Sequence, residues 1–313
     1  MSPPLARKLA ASQLPKCTSA AYRAPVRAAG RRTYCATGLV AESRPSRNTL
    51  QASRRTIPGI EFFTTSAQRR SFASTSSKMT SLQEIKKNCR KVVCIGRNYA
   101  DHVTELNNQR PKQPFFFLKP PSSILLPDEG PILRPKGVTL HFEIELGIVI
   151  GKTVKDLSEN DEAGWKDAIG SYITGIDMTG RNVQEEAKKR GLPWSIAKGF
   201  DTFLPIAGPV RKEDIKDPHN VELYLKVNGE TKQNDNTELM LFRIGRQLAD
   251  ISKVMTLEEG DIVLTGTPKG VGPVVTGDVM EAGLIVDGKE VEQAKIRVEV
   301  RDRESEYEFT PTY

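Results

Sequence analysis

The chain reads as two unlike pieces that meet near residue 80, and this break limits what can fold. Residues 1–80 hold 14 of the 46 Lys and Arg but only 2 of the 39 Asp and Glu, namely Glu42 and Glu61. They are rich in Arg, Ser, Ala and Thr and broken by Pro. That is the composition of an organellar transit peptide, a segment drawn by a membrane potential negative inside. Arg70-Ser71-Phe72-Ala73 has the form of an Arg-x-Phe-Ala processing site, and Arg32-Thr33-Tyr34 is a weaker second candidate. The expectation is import into the mitochondrial matrix with loss of about the first 72 residues; a basic tail with no destination is the bland alternative. Met79 offers an alternative start that would give a cytosolic form. The expected organisation is a leader over 1–80 and one folded domain over 81–313.

Beyond the leader the balance reverses, to 32 basic and 37 acidic residues, so the net charge of +7 belongs to the leader. A nucleic-acid partner would be met by positive charge on the folded part, and none is expected. No apolar run approaches the ~18 residues of a membrane span, so no membrane partner is expected either. Cys17 and Cys35 lie in the leader; Cys89 and Cys94 are too close in sequence to suggest a disulfide framework and should be reduced thiols. Cys94 lies in an apolar run, which favours burial.

Strands are expected at 91–96, 115–118, 140–150, 169–177, 261–264 and 294–300, and helices at 81–90, 99–108, 161–168, 180–190 and 238–254. Asn228-Gly229 after 221–227 signals a hairpin, because both residues tolerate positive φ. Strands outnumber helices without regular alternation, which argues against a doubly wound sheet and for a mixed, mostly β domain. Gly151-Lys152-Thr153 lacks the upstream glycine of a P-loop, since Leu146 stands there, and the glycine-rich 266–272 fits no dinucleotide fingerprint.

In the 140–150 segment Phe142, Ile144, Leu146 and Ile148 alternate with His141, Glu143, Glu145 and Gly147. Glu143 and Glu145 thus share one face, about 6.5 Å apart, and need either solvent or a bridging cation. Asp177 ends an apolar strand, an unusual place for a buried carboxylate without a partner. Three carboxylates without cysteine or paired histidines make a hard-oxygen set suited to Mg²⁺ or Mn²⁺ rather than zinc. His102 and Glu105 are three apart and meet if the segment is helical, as a carboxylate-supported general base or as a plain surface pair. Lys198 sits in an otherwise uncharged stretch, where it is either desolvated and aimed at an anion or extended to the surface. Arg181 and Gln184 share a helical face just after Asp177 and could bind a carboxylate or face water.

These residues together resemble the fumarylacetoacetate hydrolase superfamily, in its acylpyruvase/oxaloacetate decarboxylase branch. The matching blocks run from Cys94-Ile95-Gly96-Arg97-Asn98-Tyr99-Ala100-Asp101-His102 through His141-Phe142-Glu143-Ile144-Glu145-Leu146-Gly147 to Asp177-Met178-Thr179, Arg181 and Gln184. They continue with Gly191-Leu192-Pro193-Trp194, Lys198, Leu257–Asp261 and Leu264–Gly272. The resemblance covers roughly residues 90–302, with departures in the leader and at Gly283–Gln293. It implies an α+β, mostly β fold, a β-roll with peripheral helices, often a homodimer. It also implies Mg²⁺, with Mn²⁺ as an alternative, on Glu143, Glu145 and Asp177.

The resemblance further implies a small 2-oxo acid as substrate, chelated through its carboxylate and keto oxygens. Lys198 would stabilise the enolate, and His102 with Glu105 would form a lid that brings an activated water. Arg97, Arg181, Gln184 and Thr267 would orient the substrate. The first expectation is C–C hydrolysis of acylpyruvates or decarboxylation of oxaloacetate; the alternative is keto–enol tautomerisation of oxaloacetate. A binding protein on a dead enzyme fold is a third, remote reading, countered by the intact carboxylates and Lys198.

Overall fold

The structure is a computed structural model, and it describes residues 80–105 and 109–311. The predicted leader (apart from Thr80), its cleavage near residue 72 and the second start at Met79 lie outside the described residues.

A seven-stranded mixed sheet forms the centre, in the order Phe115–Lys119, Val92–Gly96, Ile262–Leu264, Ile144–Ile150, Ile169–Ile176, Leu204–Arg211 and Ile124–Leu125. A second sheet runs Glu230–Asn236, Glu222–Val227, Val279–Val286, Ile296–Asp302 and Ile132–Arg134, with Lys289–Glu290 beside Val279–Val286. Gly272–Val274, Leu140–Phe142 and Thr179–Gly180 make a small third sheet.

The central sheet is covered on both faces. One face joins the largest core cluster, where Ile144, Leu146 and Ile148 meet Leu223, Leu225, Met280 and Leu284 of the second sheet. The other packs Val92, Cys94, Leu204, Ile262 and Leu264 with Leu82 and Ile85 of the Leu82–Asn88 helix. All seven residues of Ile144–Ile150 are therefore buried. This excludes the solvated strand face that alternation alone allowed. Each large aliphatic side chain buried here contributes about 1.5–3 kcal/mol.

Local signals explain the helix ends. Ser81 caps the first helix through a capping box with Glu84 (Glu84 N to Ser81 Oγ 3.2 Å, Ser81 N to Glu84 Oε2 2.9 Å). The Arg181–Arg190 helix ends on Gly191 in the left-handed region at φ 68°. The predicted 238–254 helix begins later, at Ile244, after a short 3-10 turn at Thr237–Leu239. The physical reason is Asn98, which takes the backbone between them. Its carbonyl accepts from Leu241 N at 2.8 Å and its Oδ1 from Phe242 N at 2.8 Å. The predicted hairpin is present, with Asn228 and Gly229 at φ 50° and 82°. The Gly283–Gln293 stretch forms a strand end and a tight return at Asp287-Gly288. Cys89 and Cys94 are buried free thiols, and burial, with Asp261 nearby, pushes Cys89 up to about 12.

Candidate metal centre and active site

Glu143 lies in the one-residue break between Leu140–Phe142 and Ile144–Ile150, and Glu145 is the second residue of the latter strand. Asp177 directly follows Ile169–Ile176, the antiparallel neighbour of Ile144–Ile150. The three carboxylates are buried and their donor atoms lie within 4.8 Å of one another. Lys198, the last residue of a four-residue helix, donates to Glu143 Oε2 at 2.9 Å and Asp177 Oδ2 at 2.6 Å. Arg181 donates to Glu143 Oε1 at 2.5 Å, to Gln184 Oε1 at 2.6 Å and to His141 Nδ1 at 3.4 Å.

The charge balance within this cluster is uneven. Burial alone would push the Glu143 carboxyl up, but Lys198 and Arg181 outweigh it and hold it well below the usual range. Glu145 goes the other way. Burial and repulsion from Asp177 and Glu143 push it well above the usual range, and it accepts a hydrogen bond from Gly266 N at 2.6 Å. No cation pairs with it among the described residues. Three hard oxygen donors, one lacking a counter-charge, fit a divalent ion such as Mg²⁺ or Mn²⁺.

His102 is held in a six-residue helix, Ala100–Glu105, with Nδ1 3.4 Å from Glu105 Oε2. Burial lowers its pKa, only partly offset by Glu143 and Glu105, so the ring is neutral at neutral pH and suited to accept a proton. Glu105 in turn accepts from Gly270 N at 3.2 Å, and Lys269 Nζ donates to Asp101 Oδ2 at 2.9 Å. The helix thus rests on the glycine-rich 266–272 segment. Gly266 has φ 99°, and a Cβ there would lie 2.7 Å from Asn98 Cβ. Only glycine lets that backbone approach and aim its N–H at Glu145.

Every predicted site residue except Glu105, which touches His102, lines one cavity. Its free volume is about 30 Å³, room for a water or two. Arg97, Phe117, Lys188 and Trp194 are the lining side chains that are not fully buried.

Sequence reasoning missed three residues. Lys119 is fully buried, donating to Asp177 Oδ1 at 2.7 Å and to the Met178 carbonyl at 3.0 Å. Burial lowers its pKa and Asp177 opposes that; Lys198, beside two carboxylates, is raised despite equal burial. Gln233 accepts from Ile144 N at 2.9 Å and donates to Thr267 Oγ1 and the Pro268 carbonyl, both at 2.9 Å. Asn98 Nδ2 donates to the Thr265 carbonyl at 2.7 Å. The available signal for Lys119 was a charge closing the Phe115–Leu118 run immediately before Pro120 and Pro121. Gln233 and Asn98 carried no local signal.

Comparison with known proteins agrees with this geometry. The fumarylacetoacetate (FAA) hydrolase C-terminal family profile matches residues 91–300. A Schizosaccharomyces pombe protein named mitochondrial oxaloacetate tautomerase oaa1 is 53% identical over 195 residues, covering 62% of this chain and 88% of that protein. A Dictyostelium discoideum protein named mitochondrial oxaloacetate decarboxylase is 50% identical over 196 residues, again 62% and 88%. Among solved structures, the yeast fumarylacetoacetate hydrolase family protein ynq8 superposes with TM-score 0.66 at 38% identity, covering 72% of this chain and 98% of that one. Pseudomonas aeruginosa fumarylpyruvate hydrolase, solved with Mn²⁺ and pyruvate, gives TM-score 0.63 at 30% identity, covering 69% and 91%. The fold is the mostly β, curled-sheet roll with peripheral helices of these neighbours. The chain belongs to the fumarylacetoacetate hydrolase family.

Proposed function

We propose that this protein is a divalent-metal-dependent mitochondrial enzyme that forms the enolate of oxaloacetate, with keto–enol tautomerisation as its main reaction. The observation that carries the reading is the neutral His102 facing the same cavity as three carboxylates, one of which lacks a counter-charge. A divalent ion held by Glu143, Glu145 and Asp177 would supply Lewis-acid charge to the carboxylate and keto oxygens of a 2-oxo acid. His102 takes a proton from C3 and returns it to the C2 oxygen, which converts keto to enol with no net change in protons. Glu105 holds the imidazole and supports its charged form. Lys198 Nζ donates a hydrogen bond to the oxygen on which negative charge develops. Arg181 and Gln184, joined to each other, and Arg97 and Thr267 orient the acid.

Placing tautomerisation ahead of hydrolysis reorders the expectation drawn from the sequence. The support is chemical economy, since tautomerisation needs no attacking water, together with the name of the Schizosaccharomyces pombe relative. Decarboxylation of oxaloacetate uses the same enolate and is the second reading, supported by the Dictyostelium relative's name. The same names support a mitochondrial location. The test is NMR of the purified protein with Mg²⁺, offered oxaloacetate and acetylpyruvate in parallel with a chelator control. Chelator-sensitive acceleration of oxaloacetate keto–enol exchange is expected. Cleavage of acetylpyruvate without accelerated exchange would replace the proposal with a hydrolase.

A further inference from the structure

Asp177 is held from both sides by buried lysines, and the two are not equivalent. Lys119 Nζ donates to Asp177 Oδ1 at 2.7 Å, while Lys198 Nζ donates to Oδ2 at 2.6 Å. Their second bonds differ in kind. Lys198 gives its other bond to Glu143 Oε2 at 2.9 Å, so both its partners are carboxylates of the metal set. Lys119 gives its other bond to the backbone carbonyl of Met178 at 3.0 Å, which is not part of the carboxylate cluster. Their surroundings differ too. Lys198 lines the cavity, whereas Lys119 lies outside it, at the end of a strand paired to Val92, with Nζ 5.9 Å from the centroid of the Phe203 ring.

We propose that Lys119 is a positioning residue that keeps Asp177 fixed through Oδ1 in every state of the site, whereas Lys198 gives up its place at Oδ2 to the divalent ion. The inference rests on the metal reading above. An ion and an ammonium compete for the same lone pairs. Arrival of the ion removes both bonds that hold Lys198 inward and turns it toward the substrate. It leaves both bonds of Lys119 intact. Without Lys119, Oδ1 is a buried acceptor with no partner, and the carboxylate turns to satisfy it at the expense of its aim. Partners that orient a metal ligand from behind are typically worth about 10–100-fold in metal affinity.

The experiment is Mn²⁺ titration of the metal-free protein followed by electron paramagnetic resonance. It compares the unaltered protein with Lys119→Met, Lys119→Gln and Lys198→Met. Lys119→Met is expected to weaken Mn²⁺ binding by about 10–100-fold. Lys198→Met is expected to leave it unchanged or tighten it, because a competing cation is gone. Turnover of oxaloacetate by Lys119→Met should recover at saturating Mn²⁺, and that of Lys198→Met should not. Should Lys119→Met not fold, Lys119→Gln carries the test: its side chain is one bond shorter, which withdraws the donor from Oδ1, and weakening of about 10-fold is expected. Mn²⁺ binding as tight as in the unaltered protein in the Lys119 variants, or a shift of the same sign in both lysine variants, overturns the proposal. Failure of the unaltered protein to bind Mn²⁺ is a separate result that removes the metal reading and this inference with it.

Discussion

The backbone N–H of Asp177 donates to the backbone carbonyl of Glu143 at 2.8 Å. This bond continues the ladder one step beyond the Ile144–Ile176 pair, so the two carboxylates leave adjacent strands at the same level. Glu145, two residues along from Glu143, completes the triangle. The cluster is therefore a property of strand register rather than of loop placement, and small changes of charge should be felt without loss of the fold.

Asp177→Asn and Glu143→Gln keep shape and remove charge. Each is expected to abolish turnover and to weaken Mn²⁺ binding by at least about 100-fold, more than an outer partner costs. Isothermal titration calorimetry alongside turnover checks this; full activity in either variant ends the assignment. Asp177→Ala should also cost the metal-free protein about 3–5 kcal/mol in denaturant unfolding, because the buried Lys119 loses its carboxylate partner.

His102→Ala removes the proposed base and should lower oxaloacetate tautomerisation by about 10²–10⁴-fold at saturating metal, with metal affinity little changed. Stopped-flow absorbance of the enol reads the rate directly. A rate within threefold of the unaltered protein would move the proton-transfer role elsewhere.

Stability should fall with acid through the histidine range. Burial lowers the pKa of His102, His141 and His219, and His141, with Arg181 adding to the effect, falls from 6.5 to about 4. A histidine that resists protonation when folded contributes full stability above its unfolded value and loses it as the pH drops toward the folded one. The melting temperature is thus expected to decline between pH 6.5 and 4. The decline should be shallower in His141→Gln, which keeps an acceptor for Arg181. An identical pH profile in the variant would count against this account.

Gly266→Ala forces an L side chain to φ 99° against Asn98. A loss of about 1–3 kcal/mol is expected. Because the same N–H points at Glu145, Mn²⁺ affinity should fall along with the melting temperature. A drop in stability with unchanged affinity would separate the turn from the metal site.

Eight of the ten expected site residues carried local signals, such as a carboxylate two along from another, an acid closing an apolar strand or an imidazole three from a glutamate; Arg97 and Thr267 came only from the family resemblance. What stayed hidden depends on distant partners. Lys119 meets Asp177 58 residues later, and Gln233 meets Ile144 across 89. No window of sequence contains either pair. Several strands were also missed, the two longest of them for identifiable reasons. Leu204–Arg211 carries Pro205 and Pro209, which argue against a strand, yet it lies next to the edge, where only Ile124–Leu125 pairs beyond it. Val279–Val286 loses its alternation at Ala282-Gly283, where a Cβ on Gly283 would lie 2.8 Å from the Tyr224 hydroxyl.

The helix that carries His102 is fastened unequally at its two ends. At its root the fully buried Asn98 side chain makes three hydrogen bonds, to Thr265 and Phe242. At its far end Glu105 accepts from Gly270 N through a contact open to water. Released from the tip, the helix would swing like a door on a jamb at Tyr99, carrying the imidazole through an arc while its hinge stays still. The amide proton of Gly270 would then exchange with solvent far sooner than that of Phe242, although both amides help to fasten the same helix. The protein would admit its substrate by rotation about one buried asparagine, without disturbing the carboxylates behind it.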